Sequence, residues 1–311
     1  MIIASFPKQS IVVMPKVLGR CGLRCTQSLV PRLSTPDLKF NIRPSKGQYI
    51  YLSHHAARFH SSKAPPDNYW TARTLAEMPA NSLSYHWGKR DFRFIIHSMI
   101  KRRYHRWGYV VYRGAYGDDE LWNRYLAQLK QNVQEELERY GRAELLGPYL
   151  DWTVVEDRRN LDGASKDHVR RRFRRWVKKH EAETATHPFT VDLPRFRYCL
   201  YVDQKCLDTL ERFQQSESDP ILGPYLRPSM VFILIDRLWT PKRRRGDEGM
   251  DEGGYPPIEG CEREYVGWAY FTAIGVVGSY EEFIEVEMGS RLDYYVRPPG
   301  IGPYCRETMP L

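Results

Sequence analysis

"WGYVVYRGAYGDDELWNRYLAQLKQNVQEELERYGRAELLGPYLDWTVVED", residues 107–157, is the stretch that decides the fold. It opens with a β-branched and aromatic run, WGYVVYR (107–113), which reads as a strand. Asp118 then stands where a helix N-cap belongs, and Leu121, Trp122, Tyr125, Leu126, Leu129, Val133 and Leu137 recur at the spacing of one buried helical face. Gly141 ends that helix, because glycine takes left-handed backbone without a steric penalty. DWTVVED (151–157) is strand again. Strand, amphipathic helix and strand in this order make a βαβ unit, whose two strands pair in parallel.

The alternation continues downstream. SKDHVRRRFRRWVKKHEA (165–182) predicts a helix from Ser165, and FRYCLYV (196–202) a strand running into the helix DQKCLDTLERFQQ (203–215). MVFILID (230–236) reads as a buried strand, and VGWAYFTAI (266–274) and SYEEFIEVEM (279–288) add one more strand and helix. LGPYL occurs at 146–150 and at 222–226, and IGPYC at 301–305. This recurrence predicts that 107–156 and 196–236 are two copies of one β-α-LGPYL-β unit, with a truncated third from 266. The competing reading is a recurrent Gly-Pro turn in a chain with 22 Gly and 21 Pro. The expected fold class is therefore α+β over 107–305: a duplicated βαβ sandwich, ferredoxin-like or related. A mobile loop is expected at 240–262, where the basic PKRRR gives way to an acidic, Gly-rich run.

Charge divides the chain differently. Residues 1–62 carry nine Lys/Arg against the single acid Asp37, whereas the other 249 residues carry 38 basic and 37 acidic side chains. An acid-poor, Arg- and Ser-containing N-terminus is the composition of a mitochondrial transit peptide. Lys16, Arg20 and Arg24 fall at i, i+4 and i+8 of a helical pattern, with Val17, Leu18, Cys21, Cys25 and Leu29 on the neighbouring arc. ARFHSS (57–62) resembles the processing region of fungal matrix precursors, with Arg58 directly before Phe59. Cleavage near residue 62 and a matrix location are the expectation; the alternative is a cytoplasmic protein translated from near Met78. Residues 63–106 hold a Pro-Pro linker and a basic amphipathic helix, with Phe92, Ile95, Ile96, Met99, Ile100 and Tyr104 at helical spacing. That helix is expected outside the domain, with its cationic face solvated or laid on an anionic membrane surface.

Several chemistries find no foothold in the sequence. Neither a phosphate-binding glycine loop, nor H-E-x-x-H, nor a G-x-S-x-G elbow is present. Six cysteines without a C-x-x-C pair give no disulfide scaffold, and no metal or cofactor is expected. No run approaches the ~20 apolar residues of a membrane-spanning helix. Arg113 at a strand end with Glu285 and Glu287 is similar to an ADP-ribosyltransferase pattern, in which a strand Arg grips phosphates and a Glu-x-Glu pair serves the acceptor. On HVRRRFRRWVKK (168–179), Val169, Phe173 and Trp176 form the buried edge. Arg170, Arg171, Arg174, Arg175, Lys178 and Lys179 form an exposed face able to contact phosphates, which makes RNA a candidate partner.

WGYVVYRGAYGDDELW, FRYCLYVD, YPPIEGCEREYVGW and YYVRPPGI together resemble a group of uncharacterised filamentous-fungal proteins. The resemblance spans about 107–300 and implies one compact domain, without an activity or binding residues to carry over. The functional expectation is a non-catalytic binding or scaffold protein with a protein partner. RNA association and an ADP-ribosyltransferase-like enzyme are the alternatives.

Overall fold

The computed structural model describes residues 66–79, 91–180, 182, 189–217, 228–240, 253–290, 295–302, 305 and 307–310. Six strands form one sheet: β1 (Val110–Arg113), β2 (Thr153–Val155), β3 (Tyr198–Val202), β4 (Val231–Asp236), β5 (Trp268–Thr272) and β6 (Ile301–Gly302), in the order β2-β1-β3-β4-β5-β6. The helices that matter here are α1 (Asp67–Thr71), α2 (Arg93–Arg102), α3 (Asp119–Arg139), α4 (Lys166–Lys179), α5 (Thr209–Glu217) and α6 (Val276–Glu285). The class is α+β with a mixed sheet.

The 107–157 stretch folds as its pattern dictates. β1 and β2 pair in parallel, with Val110 opposite Thr153 and Tyr112 opposite Val155, and α3 carries the crossover. Asp118 caps α3 by accepting from the Leu121 N–H at 2.8 Å, and Trp122, Tyr125, Leu129, Val133 and Leu137 are buried. Gly141 has φ +65°.

The second expected copy is built differently. β3 pairs with β1 in parallel but with β4 antiparallel, Tyr198 facing Asp236 and Tyr201 facing Ile233. The physical reason lies in the connection. The Val231 N–H at the start of β4 donates to Thr209 Oγ1 (3.1 Å) at the start of α5, so the chain enters β4 at the end where it left β3. Two equivalent βαβ units are thus not what the strand pairings give, and the ferredoxin-like detail goes with them. The first LGPYL forms a 3-10 turn at Gly147–Tyr149; the second, 222–226, lies outside the described residues. Of the 240–262 stretch, 241–252 also lies outside them. The remainder closes an Ile258–Cys261 bridge, to which Arg297 donates at Pro256 O (2.7 Å) and Cys261 O (3.1 Å).

Side chains three apart on a strand point to opposite faces, which places the helices. Tyr201 donates its hydroxyl to Ala164 O (2.6 Å), just before α4, while the Tyr198 ring lies 5.0 Å from Phe283 of α6. α4 therefore covers one face and α6 the other, and β4 between them is buried along its whole length.

α2 is a core element rather than a helix laid outside. Phe92, Ile95, Ile96 and Met99 are at most 1% exposed, and of the six apolar positions only Ile100 faces solvent. α2 has no side-chain cap of its own, so its first N–H groups are served by Glu281 of α6, which accepts from Phe94 (3.0 Å) and Ile95 (2.9 Å). Glu136 of α3 does the same for α6, accepting from the Val277 N–H (3.3 Å). The oxygens of a carboxyl group at a helix N-terminus satisfy orphan backbone donors. Three buried arginines complete the framework. Arg142 donates to Tyr69 O (2.8 Å) and Asp91 O (3.2 Å), fixing the 66–79 segment, and Arg195 bonds Gly108 O, Asp151 Oδ2 and Thr153 Oγ1 at the starts of β1 and β2. The third is Arg170, on α4.

Candidate functional site

Open sheets of this kind commonly take ligands at the carboxyl ends of parallel strands where the order reverses, here between β1 and β3. That crevice is filled by protein. The Tyr201 ring lies against Gly114, where a Cβ would overlap it, and Gly163 N–H bonds Gly114 O at 3.0 Å. Beside it, Arg113 is buried between the rings of Tyr116 (4.4 Å) and Trp122 (5.3 Å). Its guanidinium donates to Ala115 O (2.8 Å), pairs with Asp119 and lies 3.5 Å from Glu156.

The ADP-ribosyltransferase pattern does not assemble. Arg113 sits at the carboxyl end of β1 beside Val202, whereas Glu287 pairs with Arg197 (3.0 Å), which precedes β3. β1 and β3 run in parallel, so the two groups lie at opposite ends of the sheet. Glu285 is the last residue of α6, as the 3.6-residue spacing of Phe283, Ile284 and Met288 favoured over a strand.

α4 divides its arginines. Ser165 caps it, accepting from the His168 N–H, and Val169, Phe173 and Val177 enter the core. Arg170, expected on the exposed face, is 2% exposed: Nε donates to Asp236 O (2.9 Å), Nη2 to Gly267 O (3.1 Å) and Nη1 to Asp167 (3.1 Å), over the Trp239 ring at 4.6 Å. Burial pushes its pKa down. Arg174 is half-buried and bonds Arg237 O (2.7 Å) and Trp239 O (2.8 Å). Both flank the Val169-Phe173-Val177 row and tie α4 to the chain leaving β4, so neither is available to a phosphate. Arg171 is exposed and pairs with Asp167, while Arg175, Lys178 and Lys179 are exposed without an ion pair among the described residues.

The fold brings a second cationic group to the same end, which sequence reading missed. Rings bridge the C-termini of α2 and α4: Tyr104 to Phe196 at 5.4 Å, Phe196 to Trp176 at 6.0 Å, and Trp176 stacked on His180 at 4.1 Å. Lys101, Arg103 and Arg106 of the α2 end are thereby joined to Arg175, Lys178 and Lys179, at the amino ends of β1 and β3. On α2 itself, burial first and then Lys101 and Arg102 lower the pKa of His97. Arg102 donates to the carbonyl of Phe189, a residue 65% exposed, with Asp192 and Glu285 as nearby acids. The signal for this surface was the basic last turn of each helix; only tertiary contact shows that the turns meet.

Two of the four described cysteines are closed in, and Cys261 and Cys305 are partly exposed. Cys199 and Cys206 are buried, and burial pushes both thiols far up. Among the described residues no group of three His, Cys, Asp or Glu is placed to hold a metal, and no helix is long and apolar enough to cross a membrane. Arg58 and Phe59, with the whole expected processing region, and Cys21 and Cys25 lie outside the described residues. Comparison of the chain with family models, curated proteins and solved structures gives no match.

Proposed function

We propose that the chain is a non-catalytic binding protein of the mitochondrial matrix, and that its surface at the joined ends of α2 and α4 engages a polyanionic partner. One observation carries the reading: Lys101, Arg103, Arg175, Lys178 and Lys179 stand exposed at one end of the sheet without an ion pair among the described residues, while Arg113, Arg142, Arg170 and Arg195 are spent on backbone carbonyls and acids inside the fold. Part of that charge complements the negative C-terminal ends of the helices. Arg175 lies a full turn before the end of α4, which a dipole effect confined to the last turn does not explain. The matrix address rests on the charge of residues 1–62.

Affinity for immobilised heparin tests the binding reading. The Arg175→Gln/Lys178→Gln/Lys179→Gln variant should elute at clearly lower salt than the parent chain. The control Arg158→Gln/Arg159→Gln, from an exposed turn at the opposite end of the sheet, should elute near the parent. Equal shifts in both variants would reduce the effect to net charge and end the proposal.

A further inference from the structure

Resting on that polyanion reading, we infer that the partner is a single-stranded nucleic acid, its phosphates on the α4 ridge and a base on the ring of Phe189. Two observations point there. Arg175 and Lys179 lie four residues apart, about 6 Å along the helix axis, and continue the line of Arg171, which Asp167 pairs. That is a linear row suited to successive phosphates of an extended strand, with Lys178 beside it. A compact acidic patch on a protein would not need such a row.

The second observation is aromatic. Phe189 is held at φ +71°, a conformation that costs a bulky side chain on the order of 1–3 kcal/mol, yet the residue is 65% exposed and so gains little burial in return. Its carbonyl accepts from Arg102, which ties residue 189 to the cationic C-terminal end of α2. An exposed aromatic residue tied to a cationic helix end offers a platform on which an unpaired base stacks, with phosphates held on nearby cations. A duplex keeps its bases stacked on one another and offers such a ring nothing, which selects a single strand.

The test is fluorescence anisotropy of the full chain with a labelled 20-nucleotide single-stranded RNA, the matching DNA strand and the RNA duplex, across a salt series. Residues 1–62 carry charge of their own, so the readout is the difference between each variant and the parent chain. Replacing Arg175, Lys178 and Lys179 by Gln should lower the slope of log affinity against log salt by about 2, at ~0.7 per cation for a single strand. Phe189→Ser should weaken single-strand binding about tenfold, as loss of one stacked base does, and leave heparin elution unchanged. The RNA and DNA arms decide which strand is preferred, and tight binding of either with both variant effects supports the inference. If the duplex binds as well as the single strands, or Phe189→Ser has no effect, the nucleic-acid assignment is overturned while the polyanion reading survives on the heparin result. If the triple variant changes neither heparin nor strand binding, both fall.

Discussion

Arg170→Ala separates the two kinds of arginine on α4. The substitution takes charge-assisted donors from two buried carbonyls, Asp236 O and Gly267 O, and removes the cation from the Trp239 ring. Bonds from a charged donor contribute ~1.5–3 kcal/mol each, and part of that is offset because the guanidinium no longer has to be desolvated. The Asp167 partner is half exposed, so its share is under ~1 kcal/mol. The net loss is about 3 kcal/mol, which for a chain of this size lowers Tm by roughly 6–12 °C. Arg175→Ala, on the exposed side of the same helix, should stay within ~0.5 kcal/mol of the parent. Thermal unfolding followed by circular dichroism at neutral pH measures both. Equal melting of the two variants would refute the division of α4 into an inner, structural row and an outer, free one.

Three further outcomes are expected. Glu281 is pushed up to about 8 by burial, against the pull of its two backbone N–H bonds, from an ordinary value of 4.5. Stability should therefore fall as pH rises between those values, with a limiting slope of ~1.4 kcal/mol per pH unit, and Glu281→Gln should flatten that slope in urea titrations from pH 5 to 8. Gly114→Ala drives a Cβ into the Tyr201 ring, which is anchored to Ala164, and should cost ~1–3 kcal/mol by the same titration; unchanged stability would mean that the crevice is not closed as described. A fluorescent fusion of residues 1–70 should enter mitochondria, and diffuse cytosolic signal would remove the matrix address.

What sequence could and could not disclose follows from the range of the forces involved. The β1-α3-β2 unit was legible because each signal in it is local: the Asp118 cap, a clean apolar row on α3 and the Gly141 stop. The direction of β4 was not, since "MVFILID" reads the same either way and the decision rests on Val231 meeting Thr209. α2 was placed outside because its flanks are basic, although five of its six apolar positions lie in the core; the carboxyl group that caps it is 186 residues away in Glu281. On α4 a wheel surrounded by arginine hides which of them turn inward. The clue available was that Arg170 and Arg174 sit one position round from Val169 and Phe173, at the edge of the apolar row. Joining of the α2 and α4 ends through Phe196 has no sequence signal at all.

Hydrogen–deuterium exchange of the full protein with and without a heparin octasaccharide measures directly where a polyanion lies on the chain. Reduced exchange is predicted in peptides covering 101–106 and 171–180, the two helix ends joined by Tyr104, Phe196 and Trp176. Protection confined to residues 1–62, or appearing instead at 156–163 across the sheet, would contradict it.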